Sequence, residues 1–254
     1  MLKFAANLSH LWVELPYLDR FEAAAAAGFE AVEVLFPYDV AAKDTRRALL
    51  SSGLEMVLIN APPPNYTGGH RGFAAVPALR ERFRRDFARA LRYADALRVR
   101  VLHVMTGVAD GIDARATLIE NLRWAQAEIP DGLTLTLEPL CDESLPGYFL
   151  NDYALAAEVL DEVASDRIGL QFDSYHAQTI HGDATEVFET YRRHVRHIQI
   201  GDAPGRGVPG SGTVDFDRLF AAIRASGYDG WVSAEYTPGP QTEAGLGWLS
   251  AARG

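Results

Sequence analysis

The stretch "GLTLTLEPL" (132–140) reads as a β-strand that ends on a carboxylate. Leu133, Leu135 and Leu137 alternate with Thr134, Thr136 and Glu138. Successive strand side chains point to opposite faces, so the threonines and Glu138 share one face and the leucines take the other. Pro139 has no amide proton for a ladder, so the strand stops directly after the glutamate. A single strand-end glutamate carries little weight. The same ending in neighbouring strands would mark a site at one end of a sheet.

Seven further β-rich runs lie along the chain: 3–8, 31–36, 55–60, 99–105, 168–173, 195–200 and 231–236. Amphipathic stretches separate them. Residues 78–97 carry apolar side chains at 79, 83, 87, 91 and 94, the spacing of one helix face, and 17–29 and 215–230 read as helices too. Eight strands alternating with helices in a chain of 254 residues predict a single (β/α)8 TIM barrel spanning 1–254. Strand counting alone leaves a doubly wound open sheet as the alternative. The longest insertion, 61–77 ("APPPNYTGGHRGFAAVP"), has too many prolines and glycines for a helix and is a candidate lid.

In a barrel, functional groups collect at the C-terminal ends of the strands. On the inward parity, the fifth strand ends in Glu138 above Thr136 and the sixth in Asp173 above Gln171. The seventh carries His197 and Gln199 on one face, and the eighth ends in Glu235 above Ser233. Four consecutive strands thus finish with an oxygen-bearing side chain. Three carboxylates converging in a closed space repel one another, and a divalent cation resolves that cost. Their oxygens, with the amide oxygen of Gln199, favour Mg²⁺ or Mn²⁺ over zinc. Isolated polar residues bonded to backbone or to arginines are the plainer explanation for any one of them, and less so for four in succession.

Composition removes other chemistries. The net charge of −10 is a poor match for a phosphate backbone, so no nucleic-acid partner is expected. Lys3 and Lys43 are the only lysines, and neither is placed for Schiff-base chemistry. No phosphate-binding glycine motif of the GxxxxGK[ST] or GxGxxG type follows a strand, so no nucleotide cofactor is expected. No run approaches the length of a membrane span, and the N-terminus breaks its apolar character at Asn7, Ser9 and His10. One cysteine, Cys141, excludes an internal disulfide. These features predict a soluble, cytoplasmic protein.

Further candidates lie in the loops. His176, three residues after Asp173, can reach a substrate, and Arg206 and Arg71 can pair with a substrate carboxylate. Glu33 lies on the parity that places it behind the site, His103 reads as a core residue or one just behind the site, and His197 as one layer below the site. Cys141 lacks an obvious activating base. Trp12 and Phe36 are candidate pocket walls.

The motifs "FAANLSHLWVELPYLDRFEAAAAAGFEAVEVLFPYD", "INAPP…GGHRG", "LEPL…PGYFL", "FDSYHAQ", "HIQIGDAPGR", "GTVDF" and "GYDGWVSAEYTPGPQTEAGLGW" resemble, in order and over about residues 4–248, the hydroxypyruvate isomerase family. This is a branch of the xylose isomerase-like TIM barrels that includes 2-oxo-tetronate isomerases. The resemblance implies a divalent metal held by Glu138, Asp173, Gln199 and Glu235, with Glu138 and Glu235 as the acid/base pair and His176 and Arg206 at substrate-contacting positions. Glutamine in the third ligand place is similar to the hydroxypyruvate isomerase branch, where ketose epimerases have histidine. The chain departs from the family pattern at His70, Cys141 and His10, all near the mouth of the expected site.

Both lines of reading predict isomerisation of hydroxypyruvate to tartronate semialdehyde, or of a related 2-oxo acid or sugar acid, through an enediolate. A ketose 3-epimerase or a sugar-acid dehydratase is the nearer alternative. An endonuclease IV-like metal phosphoesterase would need more histidines and a basic face. Oligomeric assembly is left open, with a homo-oligomer compatible with the family.

Overall fold

The computed structural model describes residues 1–62, 68–69 and 71–253. Nine parallel strands are formed: β1 (Lys3–Asn7), β2 (Ala31–Glu33), β3 (Glu55–Met56), β4 (Leu58–Ala61), β5 (Val101–Val104), β6 (Thr134–Leu137), β7 (Ile168–Asp173), β8 (Val195–Ile200) and β9 (Trp231–Ala234). Their order, β3-β2-β1-β9-β8-β7-β6-β5-β4, begins and ends with two pieces of one chain segment. Val57, between those pieces, donates its amide to Val32 O at 2.7 Å and accepts from Val101 N at 2.8 Å. Beyond it, Val34 N reaches Leu58 O at 3.1 Å and Asn60 N reaches Leu35 O at 2.9 Å. The ninth strand is therefore the third barrel strand counted twice, and the sheet closes on itself as a TIM barrel.

The outer layer holds nine helices among the described residues: α1 (Arg20–Ala26), α2 (Ala42–Ser52), α3 (Arg80–Leu97), α4 (Gly111–Glu128), α5 (Tyr153–Val163), α6 (Ser174–His181), α7 (Ala184–Tyr191), α8 (Phe216–Ala225) and α9 (Gly247–Arg253). α3 forms where the 78–97 spacing predicts it and buries Phe83, Phe87, Ala90 and Ala94. The expected helix over 17–29 is shorter, because Tyr17–Asp19 after Pro16 winds as a tight 3₁₀ turn and Gly28 adopts a φ of +88°.

Side-chain parity separates two layers, as alternation in a half-buried strand requires. Leu135, Leu137, Leu170, Phe172, Ile198, Ile200 and Val232 belong to the main apolar core. Thr136, Glu138, Gln171, Asp173, His197, Gln199, Ser233 and Glu235, on the alternate parity, form a buried polar set. Stability thus resides largely in the apolar layer, and the polar set is free to be arranged for chemistry.

The candidate lid (61–77) divides. Residues 63–67 and 70 lie outside the described residues. Phe73, Ala74 and Ala75 are buried, Ala75 N bonds Thr106 O at 2.8 Å, and Asn121 Nδ2 donates to Ala74 O at 2.8 Å. A Cβ on Gly107 (φ +93°) would fall 2.4 Å from Gly72 O, so these backbones touch. The last part of the insertion is wall rather than cover. No helix among the described residues is long and apolar enough to cross a membrane.

Candidate active site

Strand ends deliver the expected carboxylates to one place. Glu138 follows β6, Asp173 ends β7 and Glu235 follows β9, and all three are buried. Asp173 also starts α6: its Oδ1 accepts from Tyr175 N at 2.8 Å, which leaves Oδ2 for other partners. A cavity of about 420 Å³ opens above, with Glu138, Glu235, His176, Arg206, Arg71, His10, His103, Asn60 and Phe36 in its wall. Arg71 is exposed, its guanidinium 5.4 Å from the Phe36 ring centroid.

Arg206 is the cation of this cluster. It sits in the loop after β8 with a φ of +53° and stacks its guanidinium 4.8 Å from the Tyr175 ring centroid. It pairs with Glu235 Oε1, lies against His176 Nε2, and approaches Asp173 Oδ2 at 2.9 Å. Asp202, buried at the start of that loop, shapes it. Its Oδ1 accepts from Ala203 N (2.9 Å) and Val214 N (3.0 Å), and its Oδ2 from Gly210 N (2.9 Å) and Gly212 N (2.8 Å). Sequence reasoning missed Asp202, because its partners lie up to twelve residues ahead in a loop with no periodicity.

One guanidinium against three buried carboxylates sets their titration. Burial, with Glu235 and Asp173 nearby, pushes Glu138 well above the usual carboxylate range. Burial lifts Asp173 to about 7 in spite of Arg206. Burial would raise Glu235 as well, but Arg206 and His10 together hold it far below its ordinary value. Burial, then Arg206, keeps His176 neutral, and burial lowers His103 to about 3.

The donor set fits a divalent cation. Glu138 Oε1 and Glu235 Oε2 are buried without a hydrogen-bond partner, and Asp173 Oδ2 has the ion pair to Arg206 but no aligned hydrogen bond. Glu138, Asp173 and His176 offer ligand atoms all within 4.8 Å of one another. Buried oxygens with spare lone pairs beside like charges are what a hard cation satisfies. Gln199, the fourth expected ligand, joins the cluster through Gln171. Gln171 Nε2 donates to both Glu138 Oε2 (3.0 Å) and Gln199 Oε1 (2.7 Å).

His103, read as a core residue or one just behind the site, is buried in the cavity wall, with Nδ1 at 3.1 Å from Asn60 Oδ1 and 3.5 Å from Glu138 Oε2. Two sequence expectations need amendment. Cys141 does have a histidine at hand: His176 Nδ1 lies 3.2 Å from its Sγ and accepts from its backbone N at 3.0 Å. Trp12 does not line the cavity; it is buried, with Nε1 donating to Glu243 Oε1 at 2.8 Å. Phe36 does line it. His10, which the sequence does not mark as a site residue, reaches within 3.5 Å of Glu235 Oε1.

Comparison with known proteins agrees with this architecture. Residues 21–252 match the model of the xylose isomerase-like TIM barrel family. The chain is 42% identical to the 2-oxo-tetronate isomerase of Cupriavidus necator, covering 98% of each chain. It is 38% identical to the hydroxypyruvate isomerase of Escherichia coli K12 over the full length of both. Among solved structures, a Brucella melitensis protein described as an AP endonuclease of family 2 superposes with a TM-score of 0.94 at 40% identity, covering 99% of each chain. A D-allulose 3-epimerase from Methylomonas, at 19% identity and a TM-score of 0.78, shares the fold, covering 99% of this chain and 90% of its own.

Proposed function

Because the chain belongs to the xylose isomerase-like TIM barrel family, alongside hydroxypyruvate and 2-oxo-tetronate isomerases, we infer that it isomerises a short 2-oxo acid. The reaction is hydroxypyruvate to tartronate semialdehyde, or its counterpart on a longer 2-oxo sugar acid. One observation carries this reading: Glu138 and Glu235 reach one cavity from strands three places apart in the barrel, where burial pushes Glu138 up and Arg206 holds Glu235 down. A pair of like groups pushed apart in this way is the arrangement proton transfer needs.

The chemistry that a Mg²⁺ or Mn²⁺ ion supplies when held by Glu138, Asp173, Gln199 and Glu235 is polarisation of the substrate carbonyl and its neighbouring hydroxyl, which acidifies the C–H between them. Arg206 and Arg71, the two arginines of the cavity wall, attract the substrate carboxylate. Glu235, kept ionised by Arg206, takes a C3 proton; the C–H pair forms the C2–C3 double bond and the carbonyl pair moves to O2. Glu138 returns a proton to C2, the O3–H pair forms the new carbonyl, and that hydroxyl proton ends on O2. His176, neutral at the cavity edge, holds a hydrogen bond to a substrate oxygen without adding charge. No nucleotide cofactor is called for.

The phosphoesterase reading suggested by the Brucella description is less well supported. Glu138, Asp173 and His176, the groups whose ligand atoms come close enough to share an ion, and a net charge of −10 do not suit a zinc cluster acting on DNA. The test is product analysis by NMR after incubation with hydroxypyruvate, or with a four-carbon 2-oxo acid, plus Mg²⁺ or Mn²⁺. Formation of the isomeric aldehyde from either acid is expected. Turnover of ketoses alone, or cleavage of abasic DNA alone, would replace this reading.

A further inference from the structure

Beneath the carboxylates runs a chain of buried side chains whose hydrogen-bond direction is set at the Glu33 end. Asn7, Glu33, Thr136, Gln171, His197 and Gln199 are all buried. Glu33 Oε1 accepts from Asn7 Nδ2 and from Gln199 Nε2, each at 2.7 Å, and Glu33 Oε2 faces His197 Nε2 at 2.8 Å. At the other end, Gln171 Nε2 serves Gln199 Oε1 and Glu138 Oε2, while Thr136 Oγ1 donates to Gln171 Oε1 at 2.9 Å.

A carboxylate accepts and cannot donate. Glu33 therefore compels Gln199 to present its NH₂ downward and its carbonyl oxygen towards Gln171 and the carboxylate cluster. Rotating that amide by half a turn would set oxygen against oxygen at Glu33 and nitrogen against nitrogen at Gln171. Both are mismatches between fully buried groups. A ligand amide that could turn its nitrogen to a cation would repel it instead.

We propose that Glu33 is a positioning residue: it fixes the orientation of the Gln199 amide so that its oxygen is offered to the cation site. This rests on the reading of Glu138, Asp173, Gln199 and Glu235 as the groups that hold the ion. A merely structural Glu33 would serve Asn7 and His197 and leave cation affinity alone.

The experiment measures Mn²⁺ affinity by electron paramagnetic resonance on the full chain, with circular dichroism to verify folding. Glu33→Leu weakens Mn²⁺ binding by about 10–100-fold, as loss of a partner that orients a ligand does. Glu33→Gln retains binding within about threefold, because its oxygen still accepts from Asn7 and Gln199 while its nitrogen meets His197 in the other tautomer. Gln199→Ala weakens binding as Glu33→Leu does, and the double variant is no weaker than Gln199→Ala, since nothing is left to orient. Equal affinity of Glu33→Leu and wild type would overturn the proposal, as would multiplied losses in the double variant. Should Glu33→Leu not fold, Glu33→Gln decides: binding as poor as that of Gln199→Ala refutes the role. Absence of Mn²⁺ binding by the wild type brings down the cation site, and this inference with it; binding by the wild type that is indifferent to Glu33 brings down this inference alone.

Discussion

Glu138 and Glu235 are the same side chain in two electrostatic settings, and the difference comes from neighbours rather than burial, since both are buried. Arg206 pairs directly with Glu235, while Glu138 has Gln171 Nε2 on one oxygen and no hydrogen-bond partner on the other. Asp173 stands between these cases, lifted to about 7 by burial. Below that pH its carboxyl holds a proton that a cation must displace, and above it the proton is already gone. Cation affinity therefore rises with pH up to about 7, and the raised Glu138 extends the rise. Calorimetric titration with Mn²⁺ from about pH 5.5 to 8 checks this: stronger binding and fewer released protons at the alkaline end are expected. Flat affinity across that range would contradict it. At this scale parity exposes Glu138, Asp173, Gln199 and Glu235 in the sequence, because a strand end is defined by alternation. Gln171 as a bridge and His176 against Cys141 are not visible there, since they depend on how neighbouring strands and a returning loop meet.

The loop between β8 and α8 illustrates how an element serves the site. Its backbone N–H groups converge on Asp202, and Arg206 is carried at the tight turn they create, where Asp202 N and Gly207 O bond at 2.9 Å. Asp202→Ala leaves four backbone donors without that acceptor. Because water reaches part of the loop, the cost is about 2–3 kcal/mol. That corresponds to a fall in melting temperature of ~5–10 °C for a chain of this size. Loosening of Arg206 raises KM by roughly tenfold, a loss of about 1.4 kcal/mol in substrate binding. An unchanged melting temperature and KM would show that the loop holds its shape by other means. The sequence places the eight barrel crossings, with two strands matching end to end (168–173 and 195–200), five others one to three residues too long, and 55–60 stopping one residue short of the end of β4. Most of those overruns occur where the chain leaves the ladder for the site, as at Glu138 and Glu235, which keep strand-like alternation beyond the last paired residue. The break at Val57 is invisible in sequence because Val57 is as apolar as its neighbours.

At the scale of the whole molecule, an apolar shell between strands and helices holds a barrel whose polar interior is arranged along one hydrogen-bond chain. The fold is legible because every strand shows its apolar face to the helices. The site is legible only where the polar face ends in charge. A chain with a net charge of −10 attracts cations, and Arg206 and Arg71 are the two basic side chains of the cavity wall where the proposed anionic substrate would pair. The central claim is that Glu138 and Glu235 move a proton between adjacent carbons of a 2-oxo acid. The most direct test is deuterium exchange by NMR in D₂O, with hydroxypyruvate and Mg²⁺ or Mn²⁺, comparing wild type with Glu138→Gln and Glu235→Gln. The wild type should incorporate deuterium and form tartronate semialdehyde, and each variant should lose both by about 10²–10⁴-fold while staying folded. Exchange and product at wild-type rates in both variants would contradict the account.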